Sequence, residues 1–133
     1  MPAISFSVFK GKILLGEKRN TIRKIRKVPI KVGDNLILYW HQRSPDNELM
    51  FTTYCTEVRP LEIYHHGVRL LDPYYFMGTN PVTGNLKELN KFAQADGFVD
   101  WDHMHDWFKK QHGLPFTDAV MISWHFDEGL VPF

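Results

Sequence analysis

The sequence predicts an α+β protein, a small mixed β-barrel flanked by short helices, in a single domain spanning 1–133. Segments with alternating polarity, rich in β-branched and aromatic residues, dominate the chain. The helical segments are few and short, and they do not alternate regularly with strands, so a doubly wound parallel sheet is not expected. A length of 133 residues fits one ordinary domain, and an aromatic content of 14% is enough to fill its core.

The first half of the chain contains most of the predicted strands. The predicted strands there are 4–9, 21–23, 36–40 and 50–64. Between the first two, residues 10–15 form a short predicted helix that Gly16 ends. Pro60 predicts a break or bulge in the long fourth segment, because proline cannot donate a ladder hydrogen bond.

The second half of the chain is predicted to be more helical. Residues 65–85 are punctuated by proline and glycine, which predicts an extended loop holding Tyr74, Tyr75 and Phe76 against the barrel. The elements predicted after it are helices at 86–95 and 101–111 and a last strand at 120–126. Asp100 is the predicted N-cap of the second of these helices.

The charge is distributed unevenly along the chain, although the net charge is only +1. Residues 1–31 contain nine basic side chains and a single acid, Glu17, whereas the remainder is acidic. Such a concentrated basic segment indicates a local anion site, with a solvated basic loop as the alternative.

The single cysteine, Cys55, excludes an intrachain disulfide and a multi-cysteine zinc site. Its apolar neighbours predict a buried strand residue rather than a reactive thiol. Lys10 and Lys12 interrupt the first apolar segment, and no apolar run approaches membrane-spanning length. We therefore expect a cytoplasmic protein with no membrane partner.

A dense motif runs from Gly16 to Arg23, and it combines a turn with crowded positive charge. Neighbouring cations favour the neutral form of a lysine, so Lys18 is a candidate base. Thr21, three residues on, carries a hydroxyl that needs such a base to become a nucleophile. Arg23 would bind an anion or stabilise an oxyanion. The alternative is a set of surface charges around the start of a strand.

These residues resemble the ASCH family, a branch of the PUA-like barrels. The similar pieces are the pattern Gly16-x-Lys18-x-x-Thr21-x-Arg23, the turn Val32-Gly33-Asp34, and the later Asp96-Gly97-Phe98. Their order and spacing are more specific than any one piece, and with the closing helix and strand they span most of the chain. The resemblance implies a barrel that handles RNA or a modified nucleoside.

Some ASCH enzymes hydrolyse the acetyl amide of N4-acetylcytidine, and the resemblance implies the same activity here. Carried over, Lys18 is the base, Thr21 the nucleophile and Asp96 the proton donor, although those enzymes carry glutamate where this chain has Asp96. The alternatives are a ribonuclease acting on single-stranded RNA and a non-catalytic RNA-binding module, because a shared fold does not determine an activity.

Further residues are candidates for binding RNA or a nucleoside. The basic members are Arg19, Arg23, Lys24 and Arg43. Tyr39 lies near the end of a predicted strand, where it would either stack on a base or serve as an ordinary barrel residue. The seven histidines match no known ligand spacing, so neither a metal nor another cofactor is predicted.

Overall fold

A computed structural model describes residues 2–71 and 85–127, which form a mixed α+β fold, mostly sheet with short helices. The strands described are β1 (Ala3–Phe6), β2 (Asn20–Lys24), β3 (Asn35–Trp40), β4 (Glu48–Tyr64), β5 (Gly67–Leu70) and β6 (Phe116–Trp124). The helices described are α1 (Lys10–Leu14), α2 (Leu86–Ala95) and α3 (Trp101–Gln111). Among these helices, none is both long and apolar enough to cross a membrane.

The predicted helices are confirmed, and their ends have local causes. The Asn85 side chain accepts hydrogen bonds from the backbone N–H groups of Lys87 and Glu88 at the start of α2. Asp100 accepts from His103 N at the start of α3, as predicted. Gly16 follows α1 with a φ of +77°, a conformation that glycine adopts without steric cost.

The region 65–85 is only partly the extended loop that the sequence predicts. His65 and His66 form a two-residue turn that returns the chain as β5, antiparallel to the end of β4, and Val68 is buried. The loop prediction is therefore wrong for 67–70, where a short hairpin buries an apolar side chain. The predicted aromatic cluster of Tyr74 to Phe76 lies outside the described residues.

The strands follow the order β1-β3-β4-β6-β2, with β5 beside β4. Only the β1–β3 pair is parallel among the described strands. β4 continues through Pro60, and its pairing with β6 shifts register on either side of that proline. The sheet path ends at β1 and β2, so the closed barrel of the sequence prediction is not confirmed.

Two arginine side chains, one from β2 and one from the residues just after it, donate hydrogen bonds to β1. In a closed barrel, backbone hydrogen bonds between β1 and β2 would take this place. Arg23 Nη2 donates to Ser5 O at 2.7 Å, and Arg26 Nη2 donates to Ala3 O at 2.5 Å. Charged donors make strong hydrogen bonds to carbonyl oxygens. The edge of β1 is therefore held near β2 by side chains.

Two apolar cores fill the fold. The helix-side core packs α2 and α3 on the sheet and includes Leu61, Leu89, Met104 and Phe108. The strand-side core includes the inward residues Ile4, Leu36, Leu38, Cys55 and Trp124. Cys55 is a free, buried strand residue, as predicted. Phe9 packs against both cores, and the candidate site lies beside it.

We expect Met104→Ala to lower the free energy of unfolding by about 2–5 kcal/mol, because it leaves a cavity in the helix-side core. Met104 is 0% exposed. Urea unfolding measures the loss, and Val99→Ala, at a position 67% exposed, is the control. Equal stability losses in the two variants would contradict this packing.

Candidate functional site

The turn after α1 carries Lys18 from the surface into the protein. The backbone N–H groups of Glu17 and Lys18 both donate to Lys12 O, at 2.9 and 3.1 Å. A Cβ on Gly16 would lie 2.5 Å from ring carbons of Phe126, so only glycine fits this turn. The chain therefore reverses tightly and delivers the Lys18 side chain to the interior.

Lys18 and Asp96 form a buried ion pair although 78 residues separate them. Lys18 Nζ donates to Asp96 Oδ1 at 2.6 Å and to the Asp96 backbone carbonyl at 2.5 Å. Each residue is only 3% exposed. Asp96 is the residue that caps the carboxyl end of α2, so this contact ties the first segment of the chain to the helices.

Gly97 makes this close approach sterically possible. Its φ is +102°, and a Cβ there would lie 3.0 Å from the Phe9 ring and 3.1 Å from Lys18 Cδ. Lys12 Nζ donates to Gly97 O at 2.6 Å, beside the Lys18 contact to the preceding carbonyl. Two lysines of the first segment thus bind consecutive carbonyls of the Asp96–Gly97 turn.

Thr21 and Arg23 come from β2 and line the same cavity as the ion pair. Thr21 is 5% exposed, and its hydroxyl oxygen accepts a hydrogen bond from Arg23 Nε at 3.1 Å. Arg23 is further held by its bond to Ser5 O and by the Phe6 ring, 4.8 Å from its guanidinium carbon. The hydroxyl hydrogen of Thr21 is therefore not used in its contact with Arg23.

Lys18, Thr21, Arg23 and Asp96 all line one cavity of about 160 Å³. The segment 5–9 forms a second part of its wall. The remaining lining residues are Ile22 and Phe98 and, at the carboxyl end of α3, Trp107, Phe108 and His112. The cavity thus brings the four central residues of the sequence motifs to one space with aromatic walls.

Burial is the largest influence on ionisation at this site. It lowers the pKa of Lys18, against the opposing effect of Asp96, and Arg23 and Lys12 lower it further. It raises the pKa of Asp96, against the opposing effects of Lys18 and Arg23. Both shifts reduce the free-energy difference between the ion pair and a neutral lysine beside a neutral carboxylic acid. Burial also lowers the pKa of Arg23 to about 10, which leaves it charged at neutral pH.

The other predicted binding residues lie at different distances from this cavity. Arg19 donates to Gly16 O and stacks over the Phe126 ring, and it is not among the cavity-lining residues. Lys24 is exposed at the end of β2. Tyr39 is half-buried and opposite Ser5 in the β1–β3 ladder, also outside the cavity lining. Arg43 lines a neighbouring groove.

Sequence reasoning missed the aromatic wall that His112 and Trp107 form. The His112 ring stacks on Phe116, with centroids 4.2 Å apart and planes 3° from parallel. Burial lowers the pKa of His112, and Arg23 and Lys24 lower it further. His112 is the exposed residue that caps the carboxyl end of α3, one turn beyond Phe108. Only the tertiary packing brings this end of α3 to the same cavity as β2.

Within residues 2–71 and 85–127, no group of three or more histidine, cysteine, aspartate or glutamate residues is arranged to hold a metal ion. Comparison with protein-family models, curated proteins and solved structures returns no match to this chain. The chemistry of the site is therefore argued from its own geometry.

We expect Lys18→Met and Asp96→Asn to destabilise the protein with opposite dependences on pH, each by about 3–5 kcal/mol where the effect is largest. In Lys18→Met, the lone buried Asp96 has a pKa above its ordinary 3.8. The folded state then disfavours the ionised Asp96 carboxylate, which the unfolded state allows. The loss of unfolding free energy therefore grows as the pH rises above 3.8. In Asp96→Asn, the lone Lys18 has a pKa below 10.5, so the deficit shrinks as the pH rises towards that value.

Urea unfolding from about pH 5 to about pH 9 measures both deficits against the unsubstituted protein. Lys27→Met, at an exposed position outside the cavity lining, is the control for loss of a positive charge. Deficits that change with pH in parallel would contradict a coupled, buried pair.

Proposed function

We propose that this chain is an ASCH-type domain that hydrolyses the amide of an N4-acylated cytidine. The observation that carries the proposal is a pair of opposite, almost fully buried ionisable groups beside a buried threonine hydroxyl in one open cavity. Base, nucleophile and acid are the three groups that such a reaction needs.

The burial of the pair supports a catalytic role over a purely structural one. Removing two charges from water is costly, and well-packed apolar residues often stabilise a fold as well as a buried ion pair does. Ionisable groups whose pKa values are shifted by burial in a cavity are typical of functional sites. Lys18 and Asp96 are such groups, and this favours a catalytic role for the pair. Lys18 is also too deeply buried to act as a surface contact for an RNA phosphate.

The acylation step begins with proton transfer from Asp96-bound Lys18 to the carboxylate along their 2.6 Å hydrogen bond. Neutral Lys18 then accepts the Thr21 hydroxyl proton as Thr21 Oγ1 forms a bond to the acyl carbonyl carbon. The tetrahedral intermediate collapses by breaking its carbon–nitrogen bond. Asp96 gives its proton to the departing N4 nitrogen, and the products are cytidine and acyl-Thr21.

The deacylation step restores the starting groups. Water attacks the acyl ester and loses a proton to the Asp96 carboxylate. The bond to Thr21 Oγ1 breaks, and protonated Lys18 returns a proton to that oxygen. The acid is released with Lys18 neutral beside a protonated Asp96. Return of that proton to Lys18 restores the ion pair, so protons and charge balance over the cycle.

Arg23 is suited to stabilise the negative charge that develops on the acyl oxygen. Its guanidinium is fixed by Ser5 O and already contacts Thr21 Oγ1, the attacking atom. A preorganised cation at this position stabilises the transition state more than the neutral amide. Its pKa of about 10 keeps it protonated throughout.

Asp96 reaches Lys18 without the additional methylene of a glutamate. The carboxylate lies 2.6 Å from Lys18 Nζ, and Gly97 lets the turn approach closely. A glutamate here would have to displace Lys18 or the turn, so we expect Asp96→Glu to lower activity instead of improving it.

The PUA-like barrel is part of the same proposal. The order of the strands and the arginine bonds that hold β1 near β2 support a sheet curved towards closure. In such a barrel the seam between the end strands would form the wall of the site, because Ser5 and Arg23 meet there.

RNA binding is the second candidate function, and ribonuclease activity would be its catalytic variant. The observation in its favour is a row of exposed lysines, with Lys24 at the end of β2 and Lys27 and Lys31 in the segment that joins β2 to β3. These lysines would contact phosphates in either case. A protein that only binds RNA would not need the buried pair.

We expect Thr21→Val and Lys18→Arg each to lower the rate of N4-acetylcytidine hydrolysis by about 100- to 10,000-fold. Valine keeps the shape of threonine without its hydroxyl, and arginine keeps the charge of lysine but cannot act as a base. The double variant should be little worse than either single one, because the two groups act as one unit. Acetate release and cytidine formation measure the rate.

Thr21→Ser keeps the nucleophile and should retain part of the activity, and thermal unfolding of every variant checks its fold. Lys27→Ala controls for the loss of an exposed charge. Folded Thr21→Val protein with undiminished hydrolysis would refute the nucleophile. Absence of hydrolysis by the unsubstituted protein, together with RNA binding that survives both substitutions, would favour the second candidate.

A further inference from the structure

A wide groove lies next to the candidate cavity at the end of β1. It has a volume of about 400 Å³ and is lined by residues 5–7 and by the turn 41–44. Ser5, Phe6 and Ser7 line the cavity as well, so the two spaces share a wall. The groove is therefore a space next to the cavity for the part of a ligand that the cavity cannot hold.

The turn that forms the far side of the groove is fixed to β1. His41 N donates to Phe6 O at 2.9 Å, and Gln42 N donates to Ser5 Oγ at 3.0 Å. His41 has a φ of 49°, and its ring stacks on Trp40 with centroids 4.5 Å apart. The backbone around Arg43 is thus anchored on the same strand that lines the cavity.

Arg43 is exposed in this anchored turn, and it has no ion pair or hydrogen bond with any residue that the structure describes. The acids nearby in sequence have other partners. Asp46 contacts His41 and Ser44, and Glu48 pairs with Lys10 at 2.5 Å. The guanidinium is therefore a cation whose donors are available to an anion from outside the chain.

The size of the cavity places part of a nucleotide outside it. A cavity of about 150 Å³ in another protein is known to hold a single benzene ring, and this cavity is of similar volume at about 160 Å³. One base or acylated base fills such a space. The sugar and any phosphate then lie outside the cavity, and the groove that shares its wall at 5–7 is the neighbouring space that fits them.

We propose that the groove at 41–44 is a phosphate subsite and that Arg43 binds the phosphate. The preferred substrate would then be an acylated cytidine nucleotide or an acylated cytidine residue within RNA, and the free nucleoside would be a more weakly bound substrate of the same site. This inference rests on the proposed function for the base-sized cavity. It adds a specificity-determining residue that takes no part in the bond-breaking steps.

The test compares the binding of cytidine with that of cytidine 3′-monophosphate and cytidine 5′-monophosphate by calorimetry. We expect one of the two monophosphates to bind at least about tenfold more tightly than cytidine, because an arginine–phosphate contact is a charge-assisted hydrogen bond. Arg43→Ala should remove that advantage and leave cytidine binding unchanged. Lys91→Ala, at an exposed cation on α2 outside both lining sets, should keep the advantage.

A short cytidine oligonucleotide distinguishes the two sources of phosphate. Binding that is tighter than for the monophosphate and still sensitive to Arg43→Ala indicates an RNA strand, whereas equal binding indicates a mononucleotide. The inference is overturned if neither monophosphate binds more tightly than cytidine, or if Lys91→Ala weakens phosphate binding as much as Arg43→Ala. Hydrolysis is not needed for this result, so an inactive protein that keeps the Arg43-dependent advantage refutes only the proposed reaction.

Discussion

The contact between Lys18 and Asp96 is the interaction on which the rest of the site depends. It joins the turn after α1 to the carboxyl end of α2, two segments that are far apart in the sequence and meet beside Phe9. Because both groups are almost fully buried, each needs the other to offset the loss of water. The pair therefore holds the wall of the cavity and supplies its reactive groups.

Two glycines make that contact geometrically possible. Gly16 allows a turn that a side chain would block against Phe126, and Gly97 allows the Asp96 turn to lie against Lys18 and Phe9. Both have positive φ, where a Cβ is strained. The Gly16–Arg23 motif and the Asp96-Gly97-Phe98 motif are thus the two sides of one contact. In each motif the glycine permits the close packing, and the charged residue, Lys18 or Asp96, forms the ion pair.

Local sequence signals predicted the helices and most strands, because caps and turns are encoded nearby. The motifs singled out Lys18, Thr21 and Asp96, and the structure places all three in the lining of one cavity. Local signals did not predict β5, a four-residue strand in which Val68 is buried and Leu70 is partly buried. They also missed His112 and the groove beside Arg43. Those features arise where α3 packs against β2 and where the 41–44 turn bonds to β1, and neither contact leaves a local pattern.

The most direct test of a catalytic pair beside a nucleophile is whether Thr21 carries an acyl group during turnover. The protein is mixed with N4-acetylcytidine, quenched with acid over a series of times from milliseconds to complete turnover, digested and analysed by mass spectrometry. The account predicts one acetyl group on the Thr21 peptide, absent from Thr21→Val and from protein mixed with cytidine. Acetate release with no acetylated Thr21 at any quench time would contradict it.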